Sequence, residues 1–277
     1  MQDRWQTTRF TLELSRPLVM GIINATPDSF SDGGRYLDAS RAMRHCEQLV
    51  DEGADILDIG GESTRPGAGQ PTVDEELARV LPVLRHAVTL GRPVSVDTSR
   101  PEVMRAALDF GVDIVNDVRA LQRPGALETV AGSGAGVCLM HMRGEPGTMQ
   151  ADTRYADVID EVTTFLRQRL DTVFAAGVAL ERIVLDPGIG FGKSPEHNWL
   201  LLERQAELLA IGRPLLVGWS RKSTLGALTG RTVDDRLAAS VAAALAAVQR
   251  GARIVRVHDV AATVDALKVW QAAGLSR

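Results

Sequence analysis

One phrase recurs along this chain and constrains its fold more than any other feature. An amphipathic helix ends, a glycine follows, and a short apolar run then closes in polar residues. Gly53, Gly91, Gly111, Gly136, Gly177, Gly212 and Gly251 each stand shortly before such a run, at 56–60, 94–97, 114–117, 137–141, 183–186, 215–218 and 254–258. With the opening run at 18–24 the phrase occurs eight times. A helix that ends in a tight turn commonly needs a residue in the left-handed region, which is glycine's role here. Continuous apolar strands between helices are the mark of a parallel sheet covered on its faces.

The helices have the matching period. Ala39, Ala42, Met43, Cys46, Leu49 and Val50 form one apolar stripe, and Leu77, Val80, Leu81, Leu84 and Val88 another. Thr72 with Glu75, and Ser99 with Glu102, have the spacing of capping boxes. Loops after helices are short, whereas those after strands are long and polar, notably 24–37 and 60–72. A parallel barrel gathers those long loops on its C-terminal face, where its chemistry sits. The chain has 277 residues, close to the roughly 250 that such a barrel needs. The expected fold is therefore α/β, a single (β/α)8 TIM barrel over 17–277 with a short N-terminal extension at 1–16. A doubly wound open sheet shares the alternation, but eight similar strands with polar ends favour closure.

Composition excludes some partners and leaves others open. Net charge is −4 with no basic stretch, which argues against nucleic acid but says nothing about a small anion. The first ten residues lack the apolar core of a secretory leader, and the longest apolar run, 237–248, is too short to span a bilayer. Being Ala-rich, that run is expected to be a helix buried on the barrel or against a second subunit. Cys46 and Cys138 lie in apolar contexts, as reduced packing residues of a cytoplasmic protein do.

Read at their ends, the strands carry Asn24, Asp58, Asp97, Asn116 with Asp117, His141, Asp186, Ser220 to Lys222, and Arg256 with His258. Any single Asp, Asn or Ser there could simply cap the next helix. Lys222, Arg256 and His258 make poor caps, so the set as a whole points to a site. Arg256 and His258, two apart on a strand, share a face. A cationic pair there suits a polyanion such as a diphosphate; an ion pair from Arg256 to Asp97 or Asp186 across the mouth has nearly equal weight. Asp97, Asn116, Asp186 and Lys222 supply acceptors and donors that can read the edge of a flat heterocycle. The 220–223 segment ends a strand and opens a helix, a place for an anion against free backbone N–H groups.

Other motifs fail. The 188–194 segment resembles a phosphate loop, but Pro187 occupies the first glycine position, and Lys193 the last glycine of a dinucleotide fingerprint. Ser220 lacks a nucleophile elbow. The histidines show no zinc spacing, and His45, His86 and His197 fall on or near helices, where solvated or structural roles are expected. A Mg²⁺ held mainly by phosphate oxygens would leave no spacing and stays open.

Longer segments resemble a known family, the dihydropteroate synthases. Met20-Gly21-Ile22-Ile23-Asn24-Ala25-Thr26-Pro27-Asp28-Ser29-Phe30-Ser31-Asp32-Gly33-Gly34 is similar to its first signature, and Gly60-Gly61-Glu62-Ser63-Thr64-Arg65-Pro66-Gly67 to its second. Asp186-Pro187-Gly188-Ile189-Gly190-Phe191-Gly192-Lys193, Ser220-Arg221-Lys222-Ser223 and Arg256-Val257-His258 resemble later ones, in family order from about Pro17 onward. Ala25 departs from the larger apolar residue of many members, with no role at stake.

The resemblance implies condensation of p-aminobenzoate with 6-hydroxymethyl-7,8-dihydropterin diphosphate, with Mg²⁺, giving 7,8-dihydropteroate and pyrophosphate in folate synthesis. On these residues, Asp97, Asn116, Asp186 and Lys222 would hold the pterin between Met140 and Phe191. Asn24 would bind Mg²⁺ and diphosphate, and Thr64, Arg256 and His258 the diphosphate. Phe30, Arg65, Pro66, Gly190, Lys222 and Ser223 would shape the p-aminobenzoate pocket. Sulfonamides mimic that substrate and make the family a drug target. A dissociative substitution fits this inventory, with Asp97, and Asp32 if its loop closes, stabilising the cation and Lys222 beside it; the loops 24–37 and 60–72 would exclude water. The resemblance also implies a homodimer, with the 237–248 helix a candidate interface and plain packing on the barrel the alternative. A pterin-dependent methyltransferase needs no diphosphate clamp and so fits Arg256-His258 poorly. Intact Asn24, Thr64, Arg65 and Lys222 speak against a non-catalytic pterin binder, and a phosphate-binding aldolase or isomerase rests on fold analogy alone.

Overall fold

A computed structural model describes residues 4–25, 34–62 and 71–275. Eight parallel strands close into a barrel: β3 (Leu18–Asn24), β4 (Ile56–Gly60), β5 (Val94–Asp97), β6 (Ile114–Asp117), β7 (Gly136–Met140), β8 (Ile183–Asp186), β9 (Leu215–Val217) and β10 (Ala252–Val257), with β10 returning to pair with β3. A hairpin of β1 (Arg4–Gln6) and β2 (Thr11–Glu13) precedes them. Outside run α1 (Gly34–Asp51), α2 (Val73–Ala87), α3 (Pro101–Asp109), α4 (Ala126–Ala131), α5 (Val158–Ala175), α6 (Pro195–Glu203), α7 (Gln205–Leu208), α8 (Ser223–Thr229), α9 (Leu237–Gln249) and α10 (Val260–Ala272). Closure removes the open-sheet alternative. Helix α1 begins inside the loop expected over 24–37.

Period-two alternation sorts each strand into two faces. The outward set, with Val19, Leu57, Val96, Val115, Leu139, Leu185, Val217 and Val255 among it, joins the helices in one large core. The inward set fills the barrel: Leu18, Met20, Ile56, Ile114, Cys138, Val184, Leu216 and Ile254 pack together in its lower half. Above them the inward positions turn polar, at Asp58, Ser95, Asp97, Asn116, Asp186 and Arg256. This switch from apolar to polar along the same strands places the site at the C-terminal mouth.

The N-terminal hairpin closes the opposite end. Trp5 and Leu14 are fully buried within the inner cluster, and the Trp5 indole donates to the Arg182 carbonyl at 2.9 Å. Gly136 explains how the hairpin fits. A Cβ there would lie 2.9 Å from Trp5 Nε1 and 3.1 Å from the Gln6 carbonyl. Gly136 therefore serves close approach, not the left-handed turn expected of it. Gly53, Gly91, Gly111, Gly177, Gly212 and Gly251 do have positive φ.

Thr72 and Glu75 form the expected capping box on α2. Ser99 and Glu102 do not cap α3: Pro101 sets its first turn after Arg100, and Ser99 Oγ donates to Asp117 instead. The helix starts one residue later than the capping-box spacing requires, so Ser99 is not at the cap position and its hydroxyl donates to the buried Asp117 carboxylate. His197 caps α6 reciprocally with Ser194, and His86 pairs with Glu47 at 2.9 Å. Cys46 and Cys138 are free and buried. Among the described residues no helix is long and apolar enough to cross a membrane.

Candidate active site

Strand register brings the polar ends level with one another. Asp97 lies opposite Asn116, and Met140 opposite Asp186. Asn116 and Asp117, adjacent in sequence, part company by parity. Asn116 faces inward and its amide donates to Asp58 Oδ2 at 3.3 Å. Asp117 faces outward, where its carboxylate accepts the backbone N–H groups of Arg119 and Leu121 at 2.8 Å each and so shapes the following loop.

Arg256 is the hub of the mouth. Its Nε donates to Asp58 Oδ2 at 2.6 Å and its Nη2 to Asp97 Oδ2 at 2.7 Å. Of the two arrangements open from sequence, the ion pair is therefore the one present, reaching Asp58 and Asp97 rather than Asp186. Those bonds occupy Nε and Nη2, which leaves Nη1 as the edge for another anion. Asp58 is fully buried, and its Oδ1 has no hydrogen-bond partner among the described residues. Sequence reasoning noted Asp58 at a strand end but gave it no role; its inward parity was the available signal.

Burial dominates the electrostatics. It pushes the Asp97 carboxyl up to about 7 against the attraction of Arg256, with Asp58 adding to the rise. It pushes Asp186 up to about 6, against a bond from the Gly188 N–H and the charge of Lys222. Lys222 is pulled down to about 8, with Asp186 resisting. Burial disfavours the Arg256 cation too, but Asp58 and Asp97 more than offset that and hold it protonated.

His258 departs from the cationic pair expected of it. Burial, then the charges of Arg256 and Arg221, pull its pKa down to about 3, so the ring is neutral at neutral pH. Ser220 Oγ accepts the His258 backbone N–H at 3.2 Å and lies 3.0 Å from Nδ1. The hydroxyl proton then goes to Nδ1, and Nε2 carries the ring proton, a donor without charge.

The turn after β9 aims Lys222. Arg221 has a φ of 58°, unusual for a residue with a side chain, and its strain is held by an ion pair to Asp259 at 2.6 Å. Lys222 stands at the start of α8, its ammonium 4.3 Å from the centroid of the Phe191 ring. Gly190 completes this wall: a Cβ there would lie 3.2 Å from Lys222 Cδ. Ser223 opens α8 directly beyond. Asn24 ends β3, exposed at the mouth. The geometry thus gathers Asp97, Asn116, Asp186, Lys222, Met140, Phe191, Gly190 and Arg256. Phe30, Asp32, Thr64, Arg65 and Pro66 lie outside the described residues. His141 and Lys193, given no role from sequence, are joined 2.9 Å apart beside the mouth.

A family model described as pterin binding enzyme matches residues 20–258. The dihydropteroate synthase of Neisseria meningitidis serogroup B is 54% identical over 279 residues, covering 98% of each chain. A solved Xanthomonas albilineans dihydropteroate synthase with 4-aminobenzoic acid superposes with a TM-score of 0.93 at 51% identity, over 99% of both chains. That of Burkholderia cenocepacia, complexed with 7,8-dihydropteroate, gives a TM-score of 0.89 at 51% identity, over 98% of this chain and 96% of that one.

Proposed function

The chain belongs to the family of pterin-binding enzymes, and from that premise we propose that it is a transferase carrying out the dihydropteroate synthase reaction of folate synthesis. It joins 6-hydroxymethyl-7,8-dihydropterin diphosphate to p-aminobenzoate and releases pyrophosphate. The observation that carries this reading is the convergence of Asp97, Asn116, Asp186 and Lys222 on one barrel mouth with Arg256 at their centre. Carboxylates accept from the N–H edge of a pterin, while Lys222 donates to a ring heteroatom. Met140 and Phe191 are its apolar walls. Arg256 through Nη1, and His258 through Nε2–H, hold the diphosphate together with Thr64. Phe30, Arg65, Pro66, Gly190 and Ser223 receive the second substrate, whose carboxylate lies near the start of α8.

Substitution at the pterin methylene is dissociative. The C–O bond to diphosphate breaks and its electron pair leaves with pyrophosphate. The amine lone pair then forms the C–N bond, and one amine proton passes to pyrophosphate or water. An aromatic amine is already unprotonated at neutral pH, so no strong base is needed. Asp97, with Asp32 if its loop closes, stabilises the developing cation, while Lys222 holds the ring oriented. Arg256 against it favours the ionised form of Asp97, opposing the burial that lifts its carboxyl to about 7.

Mg²⁺ fits this site as a partner of substrate. Among the described residues no cluster of three or more His, Cys, Asp or Glu could hold an ion. Asn24 offers one neutral amide oxygen at the mouth, and a Mg²⁺ completed by phosphate oxygens and water needs no more from the chain. When bound, the ion neutralises the leaving diphosphate. Product formation from the two substrates, with Mg²⁺ and then with excess chelator, tests the whole reading. Turnover that falls at least tenfold on chelation is expected; no product under either condition overturns the reaction, and undiminished turnover overturns the metal.

A homodimer is part of the same reading. Helix α9 buries Ala243, Ala244 and Ala247 on the barrel, and its other face, with Leu237, Val241, Ala242 and Leu245, lines a groove of about 720 Å³. Leu237, in that groove, is 45% exposed. So much contiguous apolar surface favours a second copy seated there. Sedimentation should give twice the chain mass, and Leu237→Glu should halve it; a monomer at micromolar concentration overturns the dimer. The two buried free thiols suit a reducing, cytoplasmic setting.

A further inference from the structure

Lys193 is a buried lysine that the reaction above does not use. Only 2% of it is exposed, and among the described residues its hydrogen bonds go to carbonyls and a ring nitrogen, with the carboxylate of Asp186 acting on it only through its charge. Its ammonium donates to the carbonyls of Gly188 at 2.9 Å and Phe191 at 3.1 Å, and lies 2.9 Å from His141 Nδ1. Burial pulls the His141 pKa down to about 2, so that ring is neutral and Nδ1 can accept. Burial pulls the Lys193 pKa down to about 7 against the charge of Asp186, so keeping an ammonium on neutral hydrogen-bond acceptors is costly, and a hydrophobic residue of similar length would fill the volume more cheaply. The cost is intelligible only if the three N–H groups are needed.

What needs them is the segment from Pro187 to Gly192. Gly188, Gly190 and Gly192 all have positive φ, and a Cβ on Gly188 or Gly192 would collide with the carbonyls of His141 or Arg143. The loop therefore lies directly on the chain leaving β7, with the Gly188 and Phe191 carbonyls turned inward onto the ammonium; the Gly188 carbonyl also accepts the Phe191 N–H at 3.1 Å, which closes the turn. Its outer edge is pinned by other groups. The Gly190 N–H donates to Asn198 Oδ1 at 2.8 Å, Gln150 Nε2 to the Gly190 carbonyl at 2.9 Å, and the Tyr155 hydroxyl to the Gly192 carbonyl at 2.9 Å. Asn198 in turn donates to Thr224 on α8 at 2.9 Å, tying the loop to the element that follows Lys222.

We propose that Lys193 is a positioning residue for the aromatic-amine pocket: its ammonium, clasped by Gly188, Phe191 and the His141 ring, fixes the Gly190–Phe191 wall against Lys222. The proposal rests on the dihydropteroate synthase reading for the identity of that pocket. Asp186 sits on β8, opposite Met140, and is held by strand pairing. Phe191 is one wall of the pterin and the Gly188 N–H bonds Asp186, but Asp97, Asn116, Asp186 and Met140 stay on their strands, so the pterin is expected to lose much less affinity than the amine when the wall loosens.

Lys193→Met keeps the length and removes all three donors. The expected result is a KM for p-aminobenzoate raised at least tenfold, with kcat and the calorimetric Kd for a pterin analogue each within threefold of the parent. Amide exchange over 188–193 should quicken at least tenfold while the barrel strands keep their protection. His141→Leu should raise the same KM and His141→Gln, which keeps an acceptor, should restore it; this pair carries the test if Lys193→Met does not fold. An unchanged KM with unchanged exchange overturns the proposal. So does a loss of pterin affinity equal to the loss for the amine, which would mark a merely structural lysine. A parent enzyme that forms no product would sink the reaction reading, and the exchange comparison would still judge the positioning of the loop.

Discussion

Replacing Arg256 by Met is expected to lower kcat about 10²–10³-fold, the size of effect seen when one electrostatic donor to a developing anion is removed. Two separate consequences follow from its place at the hub. The leaving diphosphate loses a charge-assisted partner, and Asp58 and Asp97 are left facing each other without the cation that holds them apart. Asp58 is fully buried, so an unpaired charge there costs about 3–5 kcal/mol unless a proton is taken up. The two consequences separate in the double variant Arg256→Met with Asp58→Asn, which removes one of the opposed carboxylates. Urea unfolding should recover most of the lost stability in the double variant, while kcat stays at the level of the single one. Activity that returns along with stability would mean that Arg256 acts only as a structural counter-ion.

The barrel was legible in the chain because its signal is repeated: a glycine, an apolar run and a polar end recur at nearly even spacing, and six of those glycines have the expected positive φ. The hairpin was not legible, since strands of three residues carry no measurable period. At the site, parity along the strands was enough to turn Asn116 inward. The same parity would have exposed Asp58, but an Asp near a strand end resembles a helix cap as closely as a ligand. Lys193 was hidden in another way. Its run of alternating glycines invites a test for phosphate loops, which it fails, whereas the glycines serve close backbone approach. The charge of His258 depends on burial and on two neighbouring arginines, neither of which spacing can convey.

Asp186→Asn should weaken pterin binding by about 10²–10⁴-fold without unfolding the chain. Two charge-assisted hydrogen bonds to a ring edge are worth about 1.5–3 kcal/mol each, which sets that range. Asn keeps an oxygen at the position where Asp186 Oδ1 accepts the Gly188 N–H at 2.7 Å; Ala would lose that bond as well as the pterin contact. Survival of the fold follows from the sign of the pKa shift. A carboxyl raised to about 6 in the folded chain, above its ordinary value of 3.8, makes no difference to stability below about pH 4. Between about 4 and 6 the unfolded chain gives up the proton more readily, and stability falls to a level that persists at neutral pH. Removing the group therefore removes a cost. Binding has the opposite dependence, because the pterin N–H edge requires the ionised form. In the parent, affinity should rise as pH passes from 5 to 7.5, through the ranges of Asp186 and Asp97, and decline above about 8 as Lys222 loses its proton. Calorimetric titration across pH should show the lower limb of that rise shallower in Asp186→Asn, with Asp97 alone remaining to titrate. Equal affinity for parent and variant at pH 7.5 would remove Asp186 from the pterin floor.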